Sequence, residues 1–107
     1  MIFLETSIFT RLVAELLPDE EYRKLQCYLI ARPDVGKVIP GSGGIRKVRW
    51  HISGQGKRGG LRVIYYWVTE RDQILMLLIY TKNQMDDLTQ VQKRKLIAVV
   101  TEELHGR

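Results

Sequence analysis

Leu61-Arg62-Val63-Ile64-Tyr65-Tyr66-Trp67-Val68-Thr69 and Gln73-Ile74-Leu75-Met76-Leu77-Leu78-Ile79-Tyr80-Thr81 are two runs dense in β-branched and aromatic side chains, separated only by Glu70-Arg71-Asp72. Such runs around a three-residue polar turn predict an antiparallel hairpin. Residues 45–52 have the same character and join the hairpin through a glycine-rich loop over 53–60, which extends it to a three-strand meander. Upstream, residues 36–44 read as a connecting loop containing Gly41-Ser42-Gly43-Gly44. Residues 2–5 suit a short first strand.

Helical spacing fills the rest. Ile8, Phe9, Leu12, Val13 and Leu16 follow Ser7, a candidate N-cap. Pro18-Asp19-Glu20-Glu21 opens a second helix, since proline suits a first turn and acids suit the positive end of the dipole. Tyr22, Leu25, Tyr28 and Leu29 give it a stripe, and Pro33 ends it. A last helix begins near Thr89, where Thr89 and Gln92 fit a capping box, with Leu96, Ile97, Val100 and Leu104 as its packing face. The expected class is α+β: an antiparallel twisted sheet of a short N-terminal strand plus a three-strand meander, with a helix pair and a C-terminal helix against one face.

The chain has 107 residues, the size of one compact domain. One cysteine, Cys27, cannot close an internal disulfide, and with two histidines it cannot build the usual zinc cluster. Its place in a helical pattern predicts a buried or half-buried thiol in a reducing cytoplasm. Met1-Ile2-Phe3-Leu4-Glu5 does not read as a secretory leader, and the longest apolar run, residues 74–80, is too short to cross a bilayer.

The charge pattern says more. The net charge is +5, and residues 35–69 hold seven of the cations and no acid, so the remainder of the chain is net acidic. Those seven are Lys37, Arg46, Lys47, Arg49, Lys57, Arg58 and Arg62. A one-sign cluster predicts a polyanion site, nucleic acid first, because a merely solubilising face mixes signs. Alternation along the first meander strand puts Lys47, Arg49 and His51 on one face and Val48, Trp50 and Ile52 on the other. Arg62 shares a face with Ile64 and Tyr66, and Tyr80 with Lys82. Lys57 and Arg58 sit in the glycine-rich loop, where a backbone can approach a phosphate.

RNA cleavage by a neighbouring 2′-hydroxyl needs a proton acceptor, a cation for the phosphorane and a proton donor. Arginine suits the second role, lysine among cations suits the others, and Tyr80 could stack or help move a proton. Residue chemistry alone leaves binding without cleavage open. Trp50 and Trp67 read as core. Asp86 and Asp87 read as helix-start acids rather than metal ligands, His105 as inert, and Gly54-x-Gly56 lacks the helix of a dinucleotide site.

Taken together, Gly44-Ile45-Arg46-Lys47-Val48-Arg49, Gly56-Lys57-Arg58-Gly59-Gly60-x-Arg62-Val63-Ile64-Tyr65-Tyr66 and Ile79-Tyr80-x-Lys82-Asn83-x-x-x-Asp87-Leu88-Thr89 resemble the RelE/ParE superfamily, nearest to HigB-like toxins of the RelE branch. The resemblance spans nearly the whole chain, including Pro33-Asp34-x-Gly36-x-x-Ile39. It implies a sheet with helices packed on one side and a toxin of a type II toxin–antitoxin system. It further implies a ribosome-dependent endoribonuclease that cuts messenger RNA in the A site, needing no metal or cofactor. It implies a cognate, HigA-like, DNA-binding antitoxin as partner. Catalytic basic residues would fall at Lys47, Arg49 and Arg62, with Lys82 and Tyr80 beside them. Arg46, His51, Lys57 and Arg58 would bind RNA. The tyrosine that some RelE toxins carry at the last helix falls near Thr89 here, and the arginine of some members is Asn83. Proton transfer then falls to Tyr80, Lys82 or His51, or in part to the ribosome. Gyrase-directed toxins share the superfamily fold, and a gyrase poison or an RNA-binding module is the alternative.

Overall fold

The computed structural model describes residues 1–52, 54, 60–85 and 87–105. Five strands and three helices follow in the order β1 (Ile2–Glu5), α1 (Ser7–Leu16), α2 (Asp19–Ala31), β2 (Lys37–Val38), β3 (Arg46–His51), β4 (Gly60–Val68), β5 (Gln73–Thr81) and α3 (Gln90–His105). The sheet order is β1-β5-β4-β3-β2. The β3-β4-β5 meander is present as expected. A 3-10 turn over Thr69–Arg71 joins β4 to β5, closed by Asp72 in the left-handed region at φ 52°.

Three features depart from the expected sheet. β1 runs parallel to β5, with Ile2 opposite Gln73 and Glu5 opposite Met76, so the sheet is mixed rather than antiparallel throughout. Alternation reports faces and not direction, and the α1–α2 hairpin returns the chain far enough for a parallel pairing. The expected loop over 36–44 contains β2, paired antiparallel with β3. Two residues carry no periodicity to read. The helices cover both faces rather than one. α1 and α2 pack Phe9, Val13, Leu25 and Leu29 against Val48, Val63, Tyr65, Ile74 and Met76. α3 lays Val100, with Leu96, Ile97 and Leu104, over Ile64, Val68, Leu75 and Leu77. β5 is apolar on nearly every residue because both of its faces are covered.

The caps follow the local chemistry. Thr6, not Ser7, caps α1: its hydroxyl accepts from the Phe9 N–H at 3.1 Å and donates to the Leu77 carbonyl at 2.9 Å, which ties helix to sheet. Thr89 and Gln92 cap α3 reciprocally, at 2.9 and 3.1 Å. Cys27 is exposed, contrary to expectation. The buried positions of α2 are Glu21, Leu25 and Leu29, four apart, and residue 27 stands off that line.

The α1–α2 face is closed around Tyr65. Its hydroxyl accepts the Gly36 N–H at 2.9 Å and donates to the Pro33 carbonyl at 2.8 Å. Gly36 has no room for a side chain there, since a Cβ would lie 2.8 Å from that hydroxyl.

Candidate active site

The α3 face is only partly covered. α3 lies over the rows nearest β1 and the β4–β5 turn, and the far ends of β3, β4 and β5 stay open. There the register aligns three of the candidate side chains: Arg49 is opposite Arg62, and Arg62 is opposite Tyr80. Neighbouring strands sit about 4.8 Å apart, so the row is narrow enough for one phosphate to meet more than one member.

Tyr80 reaches this row because of a bulge. Ile64 faces Leu78 while Tyr65 faces Met76, so Leu77 is an extra residue in β5. Upstream of the bulge Leu75 points to the α3 face and Ile74 and Met76 to the other; beyond it, Ile79 points to the α1–α2 face and Tyr80 to the α3 face. Alternation counted straight from Leu75 would put Tyr80 on the wrong side. Bulges often re-aim a side chain in this way near functional sites.

Arg49 and Arg62 line an open cleft of about 630 Å³ together with Trp50, His51, Gly60, Thr81, Lys82 and Asn83, whereas Tyr80 is not among its lining residues. None of these lining residues is acidic. Arg49 and Arg62 make no ion pair among the described residues. Like charges directly opposite on adjacent strands destabilise a sheet by some tenths of a kcal/mol, up to about 1 kcal/mol. The pair is thus a cost to the fold that an anionic ligand would remove.

Tyr80 is 3% exposed, and its hydroxyl has no hydrogen-bond partner among the described residues. Burial first, then the Asp87 carboxylate, push that hydroxyl above its usual range, while the Arg62 guanidinium pulls partly back. The group stays protonated at neutral pH, and its hydroxyl is buried rather than open to the cleft. So deeply buried a ring offers no face for a base to stack on, which removes the stacking role considered from sequence.

The remaining candidates divide. His51 stands at the end of β3 opposite Gly60, and Lys82 in the turn after β5, both exposed on the cleft. Lys47 shares the face but is half-buried, and its ammonium lies 3.6 Å from Asp87 Oδ1. Arg46 does not join them. It pairs with Tyr65 in register and donates to the Asp34 and Gly36 carbonyls at 3.0 and 2.8 Å. One residue of parity puts it on the opposite face, where it braces the segment before β2. Lys57 and Arg58 lie outside the described residues. Trp67 packs against the α1–α2 core as expected; Trp50 does too, meeting Tyr28 in a tilted arrangement with ring centroids 5.8 Å apart, and also borders the cleft.

Sequence reading missed Asp87 as a contact of Lys47. It treated the residue as a helix-start acid, whereas Thr89 and Gln92 cap α3. Nothing in local spacing signals a contact between residues 47 and 87. Among the described residues no group of three or more His, Cys, Asp or Glu side chains is placed to hold a metal ion, and no helix is long and apolar enough to cross a membrane.

No family model matches the sequence. Among solved structures, the fold matches that of the E. coli toxin RelE, a double arginine-to-alanine mutant in the free state. The TM-score is 0.61 at 11% identity, over 88% of this chain and 94% of that one. The chain therefore has a RelE-like fold, and the cleft lies on the sheet of that fold.

Proposed function

We propose that this chain is the toxin of a type II toxin–antitoxin pair, a HigB-like, ribosome-dependent endoribonuclease contained in one domain over residues 1–107. It works in the cytoplasm, cuts messenger RNA in the A site and is restrained by a HigA-like, DNA-binding antitoxin. The observation that carries this reading is the Arg49–Arg62 pair, held side by side without a counter-ion among the described residues, on a RelE-like fold.

The chemistry follows from the cleft. The 2′-hydroxyl beside the scissile phosphate loses its proton, the O2′–P bond forms and the P–O5′ bond breaks. The products are a 2′,3′-cyclic phosphate and a 5′-hydroxyl that receives a proton. Negative charge grows on the non-bridging oxygens, where Arg49 and Arg62 supply fixed donors without reorganisation. Tyr80, in register with Arg62, adds a third donor when a bound phosphate uncovers its buried hydroxyl. His51 is the side chain type suited to exchanging a proton near neutrality, and Lys82 on the other rim suits protonation of O5′. Lys57 and Arg58, outside the described residues, belong to this reading as phosphate contacts.

Expression in cells tests it. Induction should arrest growth, co-expression of an antitoxin from the adjacent gene should relieve the arrest, and Arg62→Ala should abolish it while the purified variant melts like wild type. Arrest with double-strand DNA breaks and no new RNA ends would instead mean a gyrase poison. A net charge of +5 favours an acidic antitoxin segment that orders on docking, so the complex should weaken as salt is raised.

A further inference from the structure

The proposed ribonuclease site leaves one contact unused. Asp87 is exposed, yet it is the acid that meets the central cation cluster among the described residues: Oδ1 lies 3.6 Å from Lys47 Nζ. The same oxygen accepts the Leu88 N–H at 2.9 Å, which fixes the carboxylate on the segment leading into α3. That segment is held in turn by the Thr89–Gln92 cap and by Lys93, whose ammonium donates to the Pro40 carbonyl at 3.0 Å. Asp87 is thus presented from a braced position toward the row that contains Tyr80 and Arg62.

We propose that Asp87 is a positioning residue and internal counter-ion: it holds Lys47 in reserve in the free protein and yields it to an RNA phosphate that enters the cleft. This rests on the ribonucleic-acid reading given above. An ion pair with one partner 71% exposed is held weakly, typically by less than about 1 kcal/mol, so exchange for a phosphate is easy. A deeply buried pair could not act this way, because separating it would strand a charge. Lys47 therefore differs from Arg49 and Arg62. Those two have no described counter-ion and receive phosphate first; Lys47 joins only when a phosphate outcompetes the carboxylate. The device sets how many cations a bound strand engages, and so how strongly binding depends on salt.

Fluorescence anisotropy with a 2′-O-methyl oligoribonucleotide, which binds but lacks the attacking hydroxyl, reads this directly across a KCl series. Asp87→Asn keeps an acceptor for the Leu88 N–H and removes the charge. The expected result is tighter binding at low salt and a log–log salt slope steeper by about 0.7, the value for one added single-strand phosphate contact. Adding Lys47→Gln to Asp87→Asn should take that gain back. A merely structural tether would change the melting temperature and leave the slope alone. Parallel slopes for wild type and Asp87→Asn overturn the counter-ion role and leave the cleft reading standing. No binding by the folded wild-type chain at low salt overturns both.

Discussion

Tyr65 and Tyr80 are both buried tyrosines on neighbouring strands, facing opposite sides of one sheet, and they are treated differently. On the α1–α2 side the Tyr65 hydroxyl both donates and accepts, joining Pro33 to Gly36. On the α3 side the Tyr80 hydroxyl has no described partner and sits in register with Arg62 and Arg49. A buried polar group left unpaired costs roughly 1–3 kcal/mol, and two arginines facing one another add to that cost. On the first face the tyrosine hydroxyl is satisfied and ties the segment before β2 to the sheet, while the Trp50 and Trp67 indole N–H groups packed there have no described partner. The other carries several unfavourable features in one place, the arrangement expected where a ligand completes the set.

The sharpest way to break this contrast is at the arginines. Arg49→Ala and Arg62→Ala should each lower the rate of RNA cleavage by about 10²–10³-fold, the usual cost of one fixed donor to developing charge, with thermal stability unchanged or slightly raised. Loss of stability in step with activity would put both residues in the scaffold. The next test exchanges the tyrosines. Tyr65→Phe leaves the Gly36 N–H buried without an acceptor and should cost about 1–3 kcal/mol in urea unfolding. Tyr80→Phe removes an unpaired hydroxyl and should change stability by less than about 0.5 kcal/mol, while slowing cleavage by about tenfold, a single hydrogen bond's worth. Equal stability losses from the two substitutions would erase the distinction between the faces.

The smallest effect is in alkali. Tyr22, Tyr65 and Tyr80 all titrate higher in the folded chain, chiefly through burial, and Tyr22 also through its hydrogen bond to Glu5. A raised folded pKa means the stabilisation is complete below the ordinary tyrosine value of 10.0 and drains away as pH climbs through the folded values. Unfolding free energy should therefore fall above about pH 10, and Tyr22→Phe should flatten part of that fall. A flat profile to pH 12 in wild type would contradict the burial of these hydroxyls.

How far the sequence could be read follows from the same physics. The β4–β5 hairpin was legible because two long runs of strand formers flank a short polar turn. The capping box of α3 was legible because its signal lies within four residues. The parallel setting of β1, the two-residue β2 and the placement of α3 on the second face were not, since none leaves a local period. β5 did carry a hint: its near-continuous apolar run already implied cover on both sides. In the site, parity alone aligned Lys47, Arg49 and His51 and set Arg46 apart. The convergence of Arg62 with Tyr80 depended on a bulge at Leu77 that no sequence rule located. Asp87 reads locally as a helix-start acid, whereas its ion pair is with a residue forty positions away.

The most direct measurement is to add the purified protein to translating ribosomes on a defined message and map new RNA 5′ ends, with a ribosome-free control. The account predicts cuts within A-site codons, 5′-hydroxyl ends, dependence on ribosomes, and loss of all cuts with Arg49→Ala plus Arg62→Ala. Folded wild-type protein that leaves the message intact in both reactions would contradict it.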